Sequence, residues 1–150
     1  MNRLSDREAV VDTLYRFAEG MDWRDWELFR SVFTDQIDID YTAHRPGQQG
    51  VYAADDWVEN ARRRLTPLDA TQHSLSNPQV TIDGDEAQCL MYVEAQHLLT
   101  RDGVQASYVI GGRYRDRLVR SGDGWLIAGK TLEARWYTGD RSILGLPEAH

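Results

Sequence analysis

The apolar residues of this chain change period once along its length, and that change constrains the fold more than any single motif. Up to about residue 65 the pattern is mainly helical. Val10, Leu14, Phe17 and Met21 fall on one stripe, widened by Val11, Tyr15 and Ala18. Ser5-Asp6-Arg7-Glu8 ahead of the stripe has the spacing of a capping box, and Gly20 weakens the helix near its end. A second, short helix is predicted over Asp25 to Phe33, where Trp26, Phe29, Val32 and Phe33 recur at three- and four-residue steps. A third is predicted over Ala54 to Leu65, with Trp57, Val58, Ala61 and Leu65 inward and Arg62-Arg63-Arg64 mostly solvated. Between them Ile37, Ile39 and Tyr41 alternate with Asp38 and Asp40, the period of a half-buried strand.

From Ala70 onward the period is two. Long strands are predicted over Ala70 to Ile82, Ala87 to Thr100, Val104 to Arg120 and Trp125 to Tyr137. Their separators, Asp83-Gly84-Asp85, Arg101-Asp102-Gly103 and Ser121-Gly122-Asp123-Gly124, are hairpin chemistry, so successive strands pair antiparallel. Helices first and a long antiparallel sheet afterwards make an α+β fold. A strongly curved sheet wrapped around the N-terminal helices would form a cone with an apolar pocket. Gly111-Gly112 offers a place to bend the third long strand, and Pro78, which cannot donate to a ladder, marks an edge, a bulge or a strand start.

Composition narrows the partners. The 150 residues carry five Trp, seven Tyr, three Phe and only four Pro, which excludes a disordered chain and fits one domain with a substantial core. Seventeen Lys and Arg against 24 Asp and Glu give a formal charge of −7, a poor match for nucleic acid or an anionic membrane. No apolar run approaches a membrane span, and the Met1 to Asp6 segment has no signal-peptide core, so a cytoplasmic location is expected. The single cysteine, Cys89, reads as a small buried filler.

Strand alternation decides which polar side chains face the concave side. Cys89, Met91, Val93, Ala95, His97 and Leu99 share one face of their strand; the opposite face, with Glu94 and Gln96, is more polar. His73 shares a face with Thr71 and Leu75, and Tyr41 with Ile37 and Ile39. Asp22 follows Met21 at the end of the first helical stripe, so its carboxylate either points inward or caps the helix containing Trp26. Each also has a plain structural reading: an isolated His on an apolar face is more often a hydrogen-bonded core residue than a catalyst. His44, in the polar loop His44-Arg45-Pro46-Gly47, and His150 default to solvent. Gly111-Gly112 lacks phosphate-loop spacing, and no nucleophile elbow is present.

Five segments, in order, resemble the SnoaL-like, scytalone dehydratase-like branch of the nuclear transport factor 2-like superfamily. They are Gly20 to Trp26, Ile39-Asp40-Tyr41, Ala70 to His73 with Ser76-Asn77-Pro78, Val109 to Tyr114, and Asp123 to Ile127. The resemblance implies a cone-shaped α+β barrel over residues 1–150, with a core of about 5–138 and a tail of 139–150. It also implies that Asp22 hydrogen-bonds a pocket histidine, that His97 is the catalytic imidazole with His73 a second, and that Tyr41 polarises a substrate carbonyl. In dehydrochlorinase-like relatives the working imidazole corresponds to His73, so both remain candidates for the base. Met21 stands where scytalone dehydratase has a second carbonyl-polarising Tyr, and Gly112 and Tyr114 replace its Ser/Asn pair. A more apolar substrate is therefore implied, bound by Met21, Trp57, Val93, Gly112 and Tyr114.

These residues suit a cofactor-independent lyase, of dehydratase or dehydrohalogenase type, with no metal. An imidazole takes a C–H proton and returns it to the leaving group, a carboxylate orients the ring, and a phenol stabilises the enolate. In that scheme His97 is base then acid, Asp22 its orienter, Tyr41 the electrophile and His73 a substrate or leaving-group partner. An isomerase or polyketide-type cyclase would use the same shuttle without losing a group. A non-catalytic binding subunit and a two-His, one-carboxylate metal site are further readings, the latter disfavoured by ligands on distant segments. The expected partner is a small apolar carbonyl compound. Outward apolar residues, Leu90, Tyr92, Leu98, Val119, Leu132 and Trp136, suggest a homo-oligomer, and the family resemblance implies a trimer rather than a dimer. The tail Thr138 to His150 either covers the pocket mouth or packs on a neighbouring subunit.

Overall fold

The computed structural model describes residues 3–146. Its elements are α1 (Arg3–Asp22), α2 (Trp26–Ser31), β1 (Phe33–Asp40), β2 (Gln49–Ala53), α3 (Ala54–Leu65), β3 (Ala70–Asp83), β4 (Glu86–Arg101), β5 (Val104–Ser121), β6 (Gly124–Gly139) and a 3-10 helix over Arg141–Leu144. The six strands form one sheet in the order β2-β1-β6-β5-β4-β3. The expected all-antiparallel sheet needs correction, because β1 runs parallel to β6. Most of the chain separates those two strands, so no hairpin dictates their direction. The sheet is mixed and does not close, leaving β2 and β3 as edges.

The α1 stripe is the one the period predicts: Val10, Leu14 and Phe17 are buried, and the helix lies against β3 and β6. Its start differs. The helix is already running at Arg3, so Ser5 sits inside the first turns and does not cap them. Asp6 instead accepts from Arg120 Nη1 at 2.9 Å and Nη2 at 3.2 Å. Asp25, not Asp22, is the cap of α2, accepting the Leu28 N–H at 2.9 Å. Phe33 opens β1 rather than closing the helix. Gly20 has a packing reason: a Cβ there would stand 2.7 Å from the Phe29 backbone nitrogen, where α2 crosses α1.

Two bulges in β6 set which side chains face inward. Ala128 and Arg135 have no partner on β5, opposite the register shifts at Arg117/Leu118 and Gly111/Gly112. An extra residue reverses the inside–outside alternation beyond it. Trp125 and Ile127 point into the core before Ala128, and Lys130 and Leu132 after it. Leu132, expected on the outer face, is therefore a buried residue. Gly111 and Gly112 make the second bulge sterically feasible. A Cβ on the first would overlap the Trp136 indole, and one on the second would overlap the Glu133 carbonyl. Pro78 occupies both a sheet edge and an irregularity, in the register shift between Ser76 and Gln79 beside Asn77 at φ 55°. On the outer face Tyr92 and Trp136 remain exposed, while Leu90, Leu98 and Val119 are half-buried.

The inward turn of β6 also buries a charge pair. Lys130 Nζ lies 2.6 Å from Asp116 Oδ1, in contact but off hydrogen-bond angle, with both side chains enclosed. The ammonium sits over the rings of Phe17 at 4.0 Å and Tyr114 at 3.9 Å. Burial raises the Asp116 pKa and lowers that of Lys130, and each partner opposes the other's shift. Beyond β6, Ile143 and Leu146 of the tail are buried. His150 lies outside the described residues. Among the described residues no helix is long and apolar enough to cross a membrane.

Candidate active site

The concave face of the sheet, α1, α2 and α3 enclose a narrow cavity of ≈ 90 Å³ with mostly apolar walls. Met21, Trp57, Val93 and Tyr114 line it as expected, joined by Phe17, Phe29 and Leu132. Gly112 does not. It lies in the strand kink, against the Glu133 carbonyl, and adds no wall.

Asp22, at the C-terminal end of α1, reaches across to β3. Its Oδ2 accepts the backbone N–H of His73 at 2.7 Å, and its Oδ1 meets His73 Nδ1 at 2.7 Å. Thr71 donates its hydroxyl to the same Oδ1 at 3.0 Å. Arg24, in the left-handed turn after α1 at φ 59°, backs this group. It donates to Thr71 Oγ1 at 2.9 Å, to the Met21 carbonyl at 2.7 Å and to the Leu65 carbonyl at 2.9 Å. Burial lowers the Arg24 pKa, and the nearby Asp22 charge opposes that. The acceptor on Nδ1 selects the Nδ1–H tautomer of neutral His73, leaving Nε2 as the lone pair available to a proton. The carboxylate therefore holds His73 and not His97.

His97 stands beside this pair, its ring edge-on to His73 with centroids 5.9 Å apart. Its Nδ1 meets the Tyr108 carbonyl at 3.1 Å. Burial, then the neighbouring His73, lower its pKa to about 4, so it is neutral at physiological pH. Tyr41 follows β1 on the opposite wall, edge-on to Trp57 and stacked with Tyr114. Burial holds both phenols well above their ordinary pKa, and the two hydroxyls face each other. Both stay protonated donors. His73, His97 and Tyr41 thus line one cavity, while Asp22 is not part of its lining and reaches it only through its bond to His73. Among the described residues no group of three or more His, Cys, Asp or Glu gathers as a metal site.

Two expectations about charge fail. His44 is buried, 9% exposed, with its ring near-parallel to those of Tyr108 and Tyr137, which also stack on each other. Burial and then the Arg45 charge take its pKa to about 3. Arg64 turns back over Trp57 at 5.9 Å and lines the cavity, unlike Arg62 and Arg63, which are exposed. The Tyr41 carbonyl accepts from the backbone N–H groups of both His44 and Arg45, folding that loop inward. Leu144 of the 3-10 helix completes the wall, so the described part of the tail covers the cavity. The alternation of a Tyr before a turn was the one sequence signal for this wall; β2, too exposed to show a pattern, gave none.

A family model for the SnoaL-like domain matches residues 2–131. The chain belongs to the SnoaL-like family. A relative from Penicillium crustosum, terrestric acid biosynthesis cluster protein E, is 31% identical over 149 residues, 95% of this chain and 91% of that protein. Among solved structures, Kfla4162 from Kribbella flavida superposes with a TM-score of 0.86 at 26% identity, covering 95% of this chain and 98% of that one. A scytalone dehydratase-like protein from Novosphingobium aromaticivorans gives 0.79 at 19% identity, over 90% and 87% of the two chains. A type 2 hexachlorocyclohexane dehydrochlorinase gives 0.77 at 19%, over 99% and 95%. The SnoaL-like family and its nuclear transport factor 2-like fold are thereby established, and enzymes are among the structural neighbours.

Proposed function

We propose that this protein is a cofactor-independent acid–base enzyme, a lyase acting on a small carbonyl compound, with Asp22 and His73 as its proton-transfer pair. The observation that carries the reading is the two-point grip of Asp22 on His73, through Nδ1 and the backbone N–H of the same residue. That grip fixes ring orientation and tautomer, and the carboxylate stabilises the imidazolium that forms when Nε2 takes a proton. In the proposed reaction the proton leaves the carbon beside the carbonyl for His73 Nε2. The C–H electron pair becomes the enolate, whose oxygen accepts from Tyr41. The enolate then re-forms the carbonyl and a carbon–carbon double bond as the β-substituent departs, as chloride, or as water if His73 returns the proton. His97, neutral and bonded to Tyr108, serves as a polar wall for substrate; the roles of the two imidazoles are exchanged relative to the resemblance-based scheme. The dehydrochlorinase among the structural neighbours supports elimination. The Penicillium relative, named for a biosynthesis cluster, supports a role in small-molecule biosynthesis.

The test is deuterium exchange and elimination on a panel of cyclic β-hydroxy and β-chloro ketones, followed by proton NMR and product mass. The wild type exchanges the α-proton and releases water or HCl. Asp22→Asn and His73→Ala lower the rate about 10³–10⁴-fold, and His97→Asn lowers it less. Full activity in Asp22→Asn refutes the assignment. Exchange without any mass loss moves the protein to the isomerase or cyclase reading.

A further inference from the structure

The proposed chemistry uses Asp22, His73 and Tyr41, yet the same cavity has a basic wall that it leaves unexplained. Arg45, Arg64, His44 and Gln48 converge there from the loop after β1 and the last turn of α3. Arg64 donates from Nε to the Asn60 carbonyl at 3.2 Å. With the Gln48 amide turned to satisfy both groups, its oxygen accepts from Arg64 Nη1 at 2.8 Å and Nη2 at 3.0 Å. Arg45 Nη2 donates to the Leu144 carbonyl at 3.2 Å, and its Nε is buried without an acceptor. His44 Nδ1 is likewise buried and unbonded. Every acceptor these two guanidiniums have among the described residues is a neutral oxygen. Burial lowers the Arg64 pKa, and the Arg45 charge lowers it further.

Two half-buried guanidiniums that face one cavity without a counter-charge are unfavourable unless something anionic completes the site. The chain carries a net −7, so carboxylates were available to neutralise this wall. Arginine also suits the task geometrically: its planar fork matches the two oxygens of a carboxylate. Trp57, beside Arg64, and Ile110 and Leu132 line the same cavity with apolar surface that would take the body of a ligand.

We infer that Arg45 and Arg64 form a carboxylate-binding subsite in the cavity, so that the substrate is an apolar carbonyl compound bearing a carboxylate. The inference builds on the proposed acid–base function by naming the substrate class, but its test needs no turnover. Three isosteric pairs serve as probes: benzoate and benzamide, cyclohexanecarboxylate and its amide, and 2-naphthoate and 2-naphthamide. Titration calorimetry at pH 7.5 reads each affinity, with circular dichroism to check that variants fold. The expected result is that at least one carboxylate binds tenfold or more tightly than its amide, in the wild type and equally in Asp22→Asn. Arg64→Gln and Arg45→Gln each bring that ratio within twofold and leave the amide affinity unchanged, while Arg64→Lys retains part of the preference. Binding of no carboxylate, equal binding within all three pairs, or a preference that survives both glutamine variants overturns the inference. Because Asp22→Asn keeps the preference, a failure of the acid–base reading does not register here, and the converse also holds.

Discussion

His97 is enclosed, 4% exposed, and spends Nδ1 on the Tyr108 carbonyl. The folded protein binds a proton at this ring only near pH 4, whereas the unfolded chain binds one at the ordinary histidine value of about 6.5. Protons therefore favour the unfolded chain, and stability falls as pH drops from about 6.5 towards 4, then levels. At pH 5 the unfolded histidine is almost fully charged and the folded one almost fully neutral, a loss of about 2 kcal/mol relative to pH 8. For a chain of this length that is about 4–8 °C in Tm. His44, with a pKa of about 3, adds a similar loss over the same range. Urea and thermal melts from pH 8 to 5 on wild type and His97→Asn isolate the first contribution. The Asn side-chain nitrogen can still donate to Tyr108 but does not titrate. The variant should lose about 2 kcal/mol less than wild type across the range. Parallel pH profiles for the two proteins would refute the buried, neutral His97.

The kink in β5 is a second target. Gly112→Ala drives a Cβ into the Glu133 carbonyl and the Ala134 backbone, which the bulge holds, and should cost about 2–3 kcal/mol in urea denaturation. Gly111→Ala presses first on the half-exposed Trp136 indole, which can swing outward, and should cost distinctly less. At the buried ion pair, Asp116→Asn or Lys130→Met alone should cost about 3–5 kcal/mol. The double variant Asp116→Leu/Lys130→Met should recover most of that, read by the same assay; additive losses would argue against a coupled pair.

The long-range plan of the fold was legible because strand and turn signals in this chain are strong. The four hairpin strands lie within a few residues of the positions that alternation predicts, and α3 spans the residues its stripe marks. His73, His97 and Tyr41 line one cavity, and Asp22 bonds one of those two imidazoles. What sequence did not disclose follows from physics that period alone does not carry. Ala128 and Arg135 each add one residue to β6, so Leu132 and Lys130 face inward and the buried Asp116–Lys130 pair forms. Arg64 belongs to a basic helical face, and only the position of Trp57 and Gln48 turns it inward where Arg62 and Arg63 stay outside. The choice of His73 over His97 as the partner of Asp22 is a matter of strand register: Thr71 and His73 on β3 lie under the end of α1, and the Asp22 side chain spans that gap and no further.

The nitrogen chemical shifts of the His73 ring test the pair most directly. In wild type at pH 8 the account predicts a protonated Nδ1 and an unprotonated Nε2, and Asp22→Asn should shift the ring towards the other tautomer. A wild-type His73 with its proton on Nε2, or a spectrum indifferent to Asp22→Asn, would contradict it.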